Sequence, residues 1–470
     1  MRYEKIINYK KLVVLSLVLM LGITLYAPPL TAQDTPPTRL SPDEAVEMAI
    51  RNNLALETAR VTAETRRRAS DLSWNQFIPS VDVGGALLRL NNAPEGMTLP
   101  LPELLGGPIT MDGGPQWRLA GSITASLNLN AAMFEDTKRL RLEYERGLIS
   151  FEKARAQLER DVRKAYHTML LIQENVALLQ GSLENAERQV QIAQANFNAG
   201  LAPELTLLQA QVARENLRPI IEQAEGGLTL AMMQFAFFLG QPYDTLFELI
   251  PVTEDITSVS LDISELIRMA ASGKLDIQEL RQDILVLNNM KKTTSLRLYS
   301  PTLSLSWNLD PTFSGDPWKD SWFDGDLWSQ QSGNFRIALG FRLNSLFPFG
   351  SERQGMQTLD DQIRTATIGL AQMIRGTEIE IYNIVLALER THITAEAQAQ
   401  TVSLAERAYQ LTEQAYRAGL QDLFQVQSAE QSLRQARVQM LEQQFNYLNG
   451  LIDLEYSIGV PFGTLSKGSR

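Results

Sequence analysis

The chain has 470 residues, a formal net charge of −11, no cysteine and two histidines. Without cysteine it can build neither a disulfide framework nor a lipid-modified N-terminal cysteine, so it must hold together by packing and oligomerisation. Its acidic balance argues against nucleic acid as a partner.

At the N-terminus, Arg2, Lys5, Lys10 and Lys11 precede an apolar run from Leu12 to Leu25, and a small-residue site follows at Ala32. The run is 14 residues long, short of the roughly 18 needed to span a bilayer. The pattern predicts a signal peptide over 1–32, cut after Ala32, in preference to an anchor, although Leu30 departs from the small-residue rule. Removing it takes four basic residues from 43 and one acidic residue from 54, leaving 39 against 53, or −14. Every later apolar run is broken by charge or amide, so a membrane role would need β-strands.

The mature chain reads as one unit occurring twice. Leu40, Glu44, Val46, Met48, Ala49, Leu54 and Leu56 match Leu261, Glu265, Ile267, Met269, Ala270, Leu275 and Ile277 at an offset of 221. Pro79 matches Pro301 at 222, while Ala199-Gly200-Leu201 matches Ala418-Gly419-Leu420 at 219. Leu239-Gly240-Gln241-Pro242 and Ile458-Gly459-Val460-Pro461 also stand 219 apart. This divides the chain into a first repeat over 33–240, a linker over 241–260, a second repeat over 261–462 and a tail over 463–470.

Each repeat predicts helix, strand, loop, strand, long helix, turn and helix. After Trp117, Leu119, Gly121, Ile123, Ala125, Leu127 and Leu129 alternate with small polar residues. The runs Leu303 to Leu309 and Phe335 to Leu343 alternate as cleanly, and Val81 to Leu90 less well. Stretches without proline, about 134–197 and 351–416, predict helices on the order of 100 Å long. In the first, apolar residues from Leu158 to Phe197 recur at alternating steps of four and three, the period of a supercoiled seam. Thr377, Thr391, Gln398 and Thr412 dilute the seam of the second, which should pack less tightly. Each long helix ends at Ala-Gly-Leu and reverses into a return helix, Leu205 to Leu239 or Leu423 to Ile458, an αα-hairpin with a glycine cap. Pro219 and Gly226-Gly227 predict a kink or break in the first return helix.

Four strands cannot close a barrel, and an open sheet edge cannot lie in lipid with its amides unpaired. The sheet must be completed by other copies. The fold class is therefore an α+β membrane protein of two repeats. The order and repetition of the elements, the Ala-Gly-Leu turns, the Leu-Gly-x-Pro ends and the Pro79/Pro301 strand entries resemble TolC-like outer membrane factors over about 40–462. The resemblance implies a homotrimer with a twelve-stranded β-barrel in outer-membrane lipid, continued by a twelve-helix periplasmic α-barrel. Its helical tips would close the tunnel and dock on a periplasmic adaptor. An inner-membrane pump would supply the energy and the chain itself would be a passive, cofactor-free exit duct for efflux or protein export.

The adaptor contact would then fall on Gly200, Leu201, Gly419 and Leu420, although glycine here is also a plain helix C-cap. The constriction would fall near Gln425 and Ser428, positions where TolC carries acidic residues that this sequence lacks. Asp422 and Glu204 lie close by, and Tyr416 occupies the position of a tyrosine that helps hold the closed tip. Three copies of one carboxylate around a pore would select cations, whereas an acidic residue just after a turn is also an ordinary helix N-cap.

His167 and His392 lie isolated in the long helices, and no phosphate loop, dinucleotide pattern or nucleophile elbow is present, so no enzyme is expected. The interstrand loops, about 91–116 and 310–333, should face outward. In the second, Trp318, Trp322, Phe323 and Trp328 stand among Asp316, Asp320, Asp324 and Asp326; these aromatics could sit at the lipid interface, bind a ligand or pack on one another. The competing reading for the whole chain is a periplasmic coiled-coil scaffold with a small soluble sheet and no barrel.

Overall fold

The computed structural model describes residues 38–92, 96–100, 103, 107–111, 116–251, 262–329, 333–342 and 350–467. The expected signal peptide, Leu261, linker residues 252–260 and the strand end at Leu343 lie outside them.

The helix expected before each first strand is two helices. In the first repeat these are α1 (Pro42–Asn52) and α2 (Leu54–Asp71), broken at Asn53, whose side chain accepts the amides of Ala55 and Leu56. The same break recurs 221 residues on, between α5 (Ile263–Gly273) and α6 (Leu275–Tyr299), at Lys274. Here the buried ammonium meets Glu380 at 2.6 Å. Ser41 and Glu44 close a capping box at the start of α1, in which each side chain accepts the other's amide.

Two helices of 67 residues each, α3 (Ala132–Asn198) and α7 (Ser351–Arg417), form the body. At 1.5 Å per residue each spans about 100 Å. They reverse into α4 (Glu204–Phe238) and α8 (Leu423–Ile458). Of the kink or break expected in α4, the break is absent: the helix is continuous through Pro219 and Gly226-Gly227. Pro219 lies on an exposed face, where water can satisfy the carbonyl freed four residues back.

Near the sheet the helices lie in the order α2, α3, α6, α7, and beyond the midpoint α4, α3, α8, α7. The α3–α6 seam is ionic. Arg297 meets Asp136 at 2.9 Å, Lys153 meets Asp276 at 2.6 Å and Glu279 at 3.0 Å, and Lys292 and Arg146 pair with Glu135 and Asp283. α7 is flanked on one side only, and it buries Thr377, Ile381, Val385, Leu388, Ala395 and Tyr416, far fewer residues than α3.

Strands β2 (Ser80–Arg89), β5 (Trp117–Leu129), β7 (Thr302–Leu309) and β8 (Gly333–Gly340) form one antiparallel sheet in the order β2-β5-β7-β8. A small hairpin, β3 (Met97–Leu99) with β4 (Ile109–Met111), lies in the first loop. The register aligns like with like. Val83 faces Ile123 and Ile123 faces Leu309, Leu127 faces Leu305 and Leu305 faces Ile337, whereas Ser126 faces Ser80 and Ser306. One face is therefore apolar across all four strands and the other polar, with Ser304 donating to Asn128 at 2.7 Å.

At the midpoint, β1 (Thr38–Leu40) pairs in parallel with β6 (Phe247–Leu249). Both strands are bolted to α3 by Tyr166, fully buried, whose hydroxyl lies 2.7 Å from the Leu40 carbonyl and 2.8 Å from that of Ile250. Burial pushes this phenol up to about 12. The C-terminal helix α9 (Thr464–Lys467) folds back here too, with the buried Glu455 carboxylate accepting the amides of Gly463 and Leu465.

Candidate functional site

The two helical turns lie at the end of the bundle opposite the sheet. Their glycines adopt the left-handed backbone, φ +72 at Gly200 and +73 at Gly419. In each turn the amide after the glycine reaches back five residues, Leu201 to Asn196 and Leu420 to Ala415, both at 2.8 Å, while the glycine amide bonds the Phe197 or Tyr416 carbonyl. This Schellman closure satisfies the last carbonyls of the long helices. It also turns Leu201 and Leu420 outward, 78% and 79% exposed. Capping thus accounts for the glycines and leaves the two leucines without a structural task.

Behind the turns all four helices meet. Ala193, Leu207, Ala210, Tyr416, Leu423 and Val426 form one buried cluster. Tyr416 is inside that cluster, its phenol raised by burial, and so it ties the hairpins together. Glu204 is exposed at the first turn of α4, and Asp422 caps α8 by accepting the Gln425 amide at 3.0 Å. Asp422, Gln425 and Ser428, three residues apart, are all exposed, whereas Leu423 and Val426 are buried. The structure therefore brings Asp422, Gln425 and Ser428 into one stripe and places Glu204 on the other hairpin. A groove of about 390 Å³ between the return helices is lined by Leu205, Leu208, Val212 and Phe424.

One polar contact behind the tip was missed in the sequence. Glu430 lies in the α8 seam and accepts from Asn185 at 2.9 Å and Gln189 at 3.4 Å on α3. Burial raises its carboxyl, against the opposing pull of Asn185, Arg434, Gln189 and Arg188, and Tyr409 beside it is pushed up to about 12, first by burial and then by Glu430. The spacing Leu423, Val426, Glu430, Leu433 was the available signal, because it puts a carboxylate at a seam position.

The histidines are packing residues. His167 is buried against Phe445, with Nδ1 2.9 Å from the Asn449 amide oxygen, and burial holds its pKa down. His392 lies beside Tyr447. Among the described residues, no three His, Cys, Asp or Glu side chains are grouped to hold a metal.

The fold thus joins a four-stranded sheet, apolar on one face, to helical hairpins about 100 Å long. Residues 45–241 match the family described as outer membrane efflux protein. No curated protein matches the chain in sequence. Among solved structures, CusC superposes with a TM-score of 0.69 at 18% identity, covering 89% of this chain and 92% of that one. The outer membrane protein VceC of Vibrio cholerae gives 0.67 at 17%, covering 90% and 96%. The open-state outer membrane channel MtrE of Neisseria gonorrhoeae gives 0.65 at 16%, covering 89% of each. At these identities the likeness is one of fold, and it extends past the family match into the second repeat. The resemblance to TolC-like factors read from the sequence holds.

Proposed function

We propose that three copies of this chain close into an exit duct of the outer membrane that extends into the periplasm, passive in itself and served by an inner-membrane pump through a periplasmic adaptor. The observation that carries the reading is the sheet. Its apolar face leaves Val81, Val83, Phe335, Ile337 and Leu339 between 63% and 77% exposed, and β2 and β8 have unpaired outer edges. Water tolerates neither, whereas lipid on one face and a neighbouring copy at each edge resolve both. Twelve strands and twelve helical segments follow from threefold closure. A soluble scaffold would have no reason to align apolar residues across all four strands.

In this reading Gly200, Leu201, Gly419 and Leu420 present the adaptor contact, and Asp422, Gln425 and Ser428 line the constriction with Glu204 nearby. Tyr416 holds the hairpins closed, and gating is movement of the tips. Single-channel conductance in planar bilayers tests it, with Asp422→Asn and Glu204→Gln measured beside the parent. Asparagine keeps the helix cap, so loss of cation preference in Asp422→Asn reports the pore and not the fold. Folded oligomers that neither insert nor conduct would refute the duct.

A further inference from the structure

The loop between β7 and β8 was read from the sequence as a mixture of aromatic and acidic residues, and the structure separates the two. Its carboxylates are largely spent on shaping it. Asp320 Oδ2 accepts the Asp316 amide at 2.7 Å, Asp316 accepts the Trp318 amide at 3.0 Å and pairs with Lys319 at 3.5 Å, and Asp324 accepts the Asp326 amide at 3.1 Å. The loop is further closed by Ser314 donating its amide to the Leu327 carbonyl at 2.8 Å. Among the side chains this folded loop turns outward are three large apolar ones: Phe323 is 99% exposed, Trp318 64% and Trp322 48%.

The loop is fastened to the apolar side of the sheet. The β5–β7 register, Ile123 opposite Leu309, continues to a bridge between Ala120 and Thr312, and the Phe313 amide bonds the Leu119 carbonyl at 2.8 Å. Phe313 therefore shares the face of Leu309 and Trp307. It is buried against Trp328, with ring centroids 5.3 Å apart. Trp328 donates its indole N–H to the Trp322 carbonyl at 2.9 Å, and Trp322 donates its own to Pro317 at 2.6 Å. Trp117, on the same apolar face, meets Trp318 edge-on at 5.6 Å, and the Arg89 guanidinium lies 5.8 Å from the Trp117 ring.

We infer that the loop over 310–329 is a lipid-side foot: Trp318, Trp322 and Phe323 rest in the headgroup region of the outer leaflet, continuing the apolar band of the sheet beyond its strands. Arg89 and Lys319 lie beside them, placed to meet lipid phosphate. Indole rings with a bonded N–H and an apolar body suit this boundary. The inference rests on the membrane duct proposed above, and it sets the loop on the outside of the barrel, away from the lumen and from a soluble ligand.

The test is tryptophan fluorescence of the full-length oligomer in nanodiscs of phosphatidylcholine and phosphatidylglycerol. Difference emission between the parent and Trp318→Phe/Trp322→Phe isolates the loop, and Trp307→Phe isolates the sheet. Lipid brominated near the headgroup should quench the loop signal at least twofold, while aqueous iodide should leave it nearly unchanged. Iodide quenching without bromolipid quenching would place the loop in water or the lumen, and shielding from both would place it against a neighbouring copy; either result overturns the inference. Trp307 separates the two levels, because a sheet tryptophan unquenched by deeply brominated lipid sinks the membrane reading itself. Should the double variant fail to assemble, Phe323→Trp carries the same readout from a side chain that packs on nothing.

Discussion

Four glycines end the four hairpin helices with nearly the same backbone: φ is +72 at Gly200, +70 at Gly240, +73 at Gly419 and +71 at Gly459. Alanine at any of them carries the left-handed penalty of roughly 1–2 kcal/mol, partly offset by about 0.4–1 kcal/mol from a less flexible unfolded chain. The surroundings differ. A Cβ at Gly200 or Gly419 meets nothing within 4 Å, whereas at Gly240 it would lie 2.5 Å from the Asn52 carbonyl oxygen, and at Gly459 it would run into the backbone of Gly273. Backbone cannot turn aside as a side chain can, so overpacking adds about 1–3 kcal/mol at these two. The expected cost is about 1 kcal/mol or less for Gly200→Ala and Gly419→Ala and about 2–4 kcal/mol for Gly240→Ala and Gly459→Ala. For a chain of this length 1 kcal/mol moves the melting temperature by only about 1 °C. Circular dichroism melts of the purified oligomer should therefore place the tip variants within about 1 °C of the parent and the inner variants a further 2–3 °C lower. Equal melting of all four would refute the reasoning, because it would mean that the return helices do not close against the breaks at Asn53 and Lys274.

Tyr166→Phe removes a hydroxyl with one proton between two carbonyls, and the Leu40 carbonyl keeps a second donor in the Ile250 amide at 3.1 Å. The loss should be near 1 kcal/mol, read as a small melting shift with faster proteolysis near β1 and β6; unchanged proteolysis would argue against the bolt. His167 has a pKa depressed by burial, so it favours folding fully above the ordinary histidine value. That contribution falls as pH drops through about 6.5 toward the folded value. His167→Gln should lose less stability than the parent between pH 7.5 and 5, and parallel losses would exclude His167 as the cause. On α7, Ile393 and Leu404 are 65% and 72% exposed; Ile393→Asp with Leu404→Asp should leave helical content intact and abolish the oligomer in size-exclusion chromatography. A normal oligomer would show that this flank is not the seam between copies.

Much of the architecture was legible because its signals are local or repeated. The period of two in the strands, the seam from Leu158 to Ala193 and the Ala-Gly-Leu turns each depend on a few neighbouring residues, and their recurrence in two copies separated signal from chance. The unbroken α4 was not legible, since a proline's effect depends on whether water reaches the carbonyl it frees. Nor was the division of α3 between two partners. Its sequence seam omitted His167, Ser182 and Gln189, which are buried because α8 covers a second side of the helix.

At the tips the sequence identified the glycines and the nearby carboxylates, while the tertiary structure assigned their tasks. Asp422 is a cap that belongs to an exposed stripe, Tyr416 is a core residue tying the hairpins, and Glu430 is the half-buried acid in the seam between α8 and α3. The same holds for the aromatic loop, whose composition showed what it contains and whose strand register decided which side of the sheet it joins. Periodicity and turn chemistry are written residue by residue along the chain. Which face is covered, and by what, depends on segments more than a hundred residues apart meeting in space.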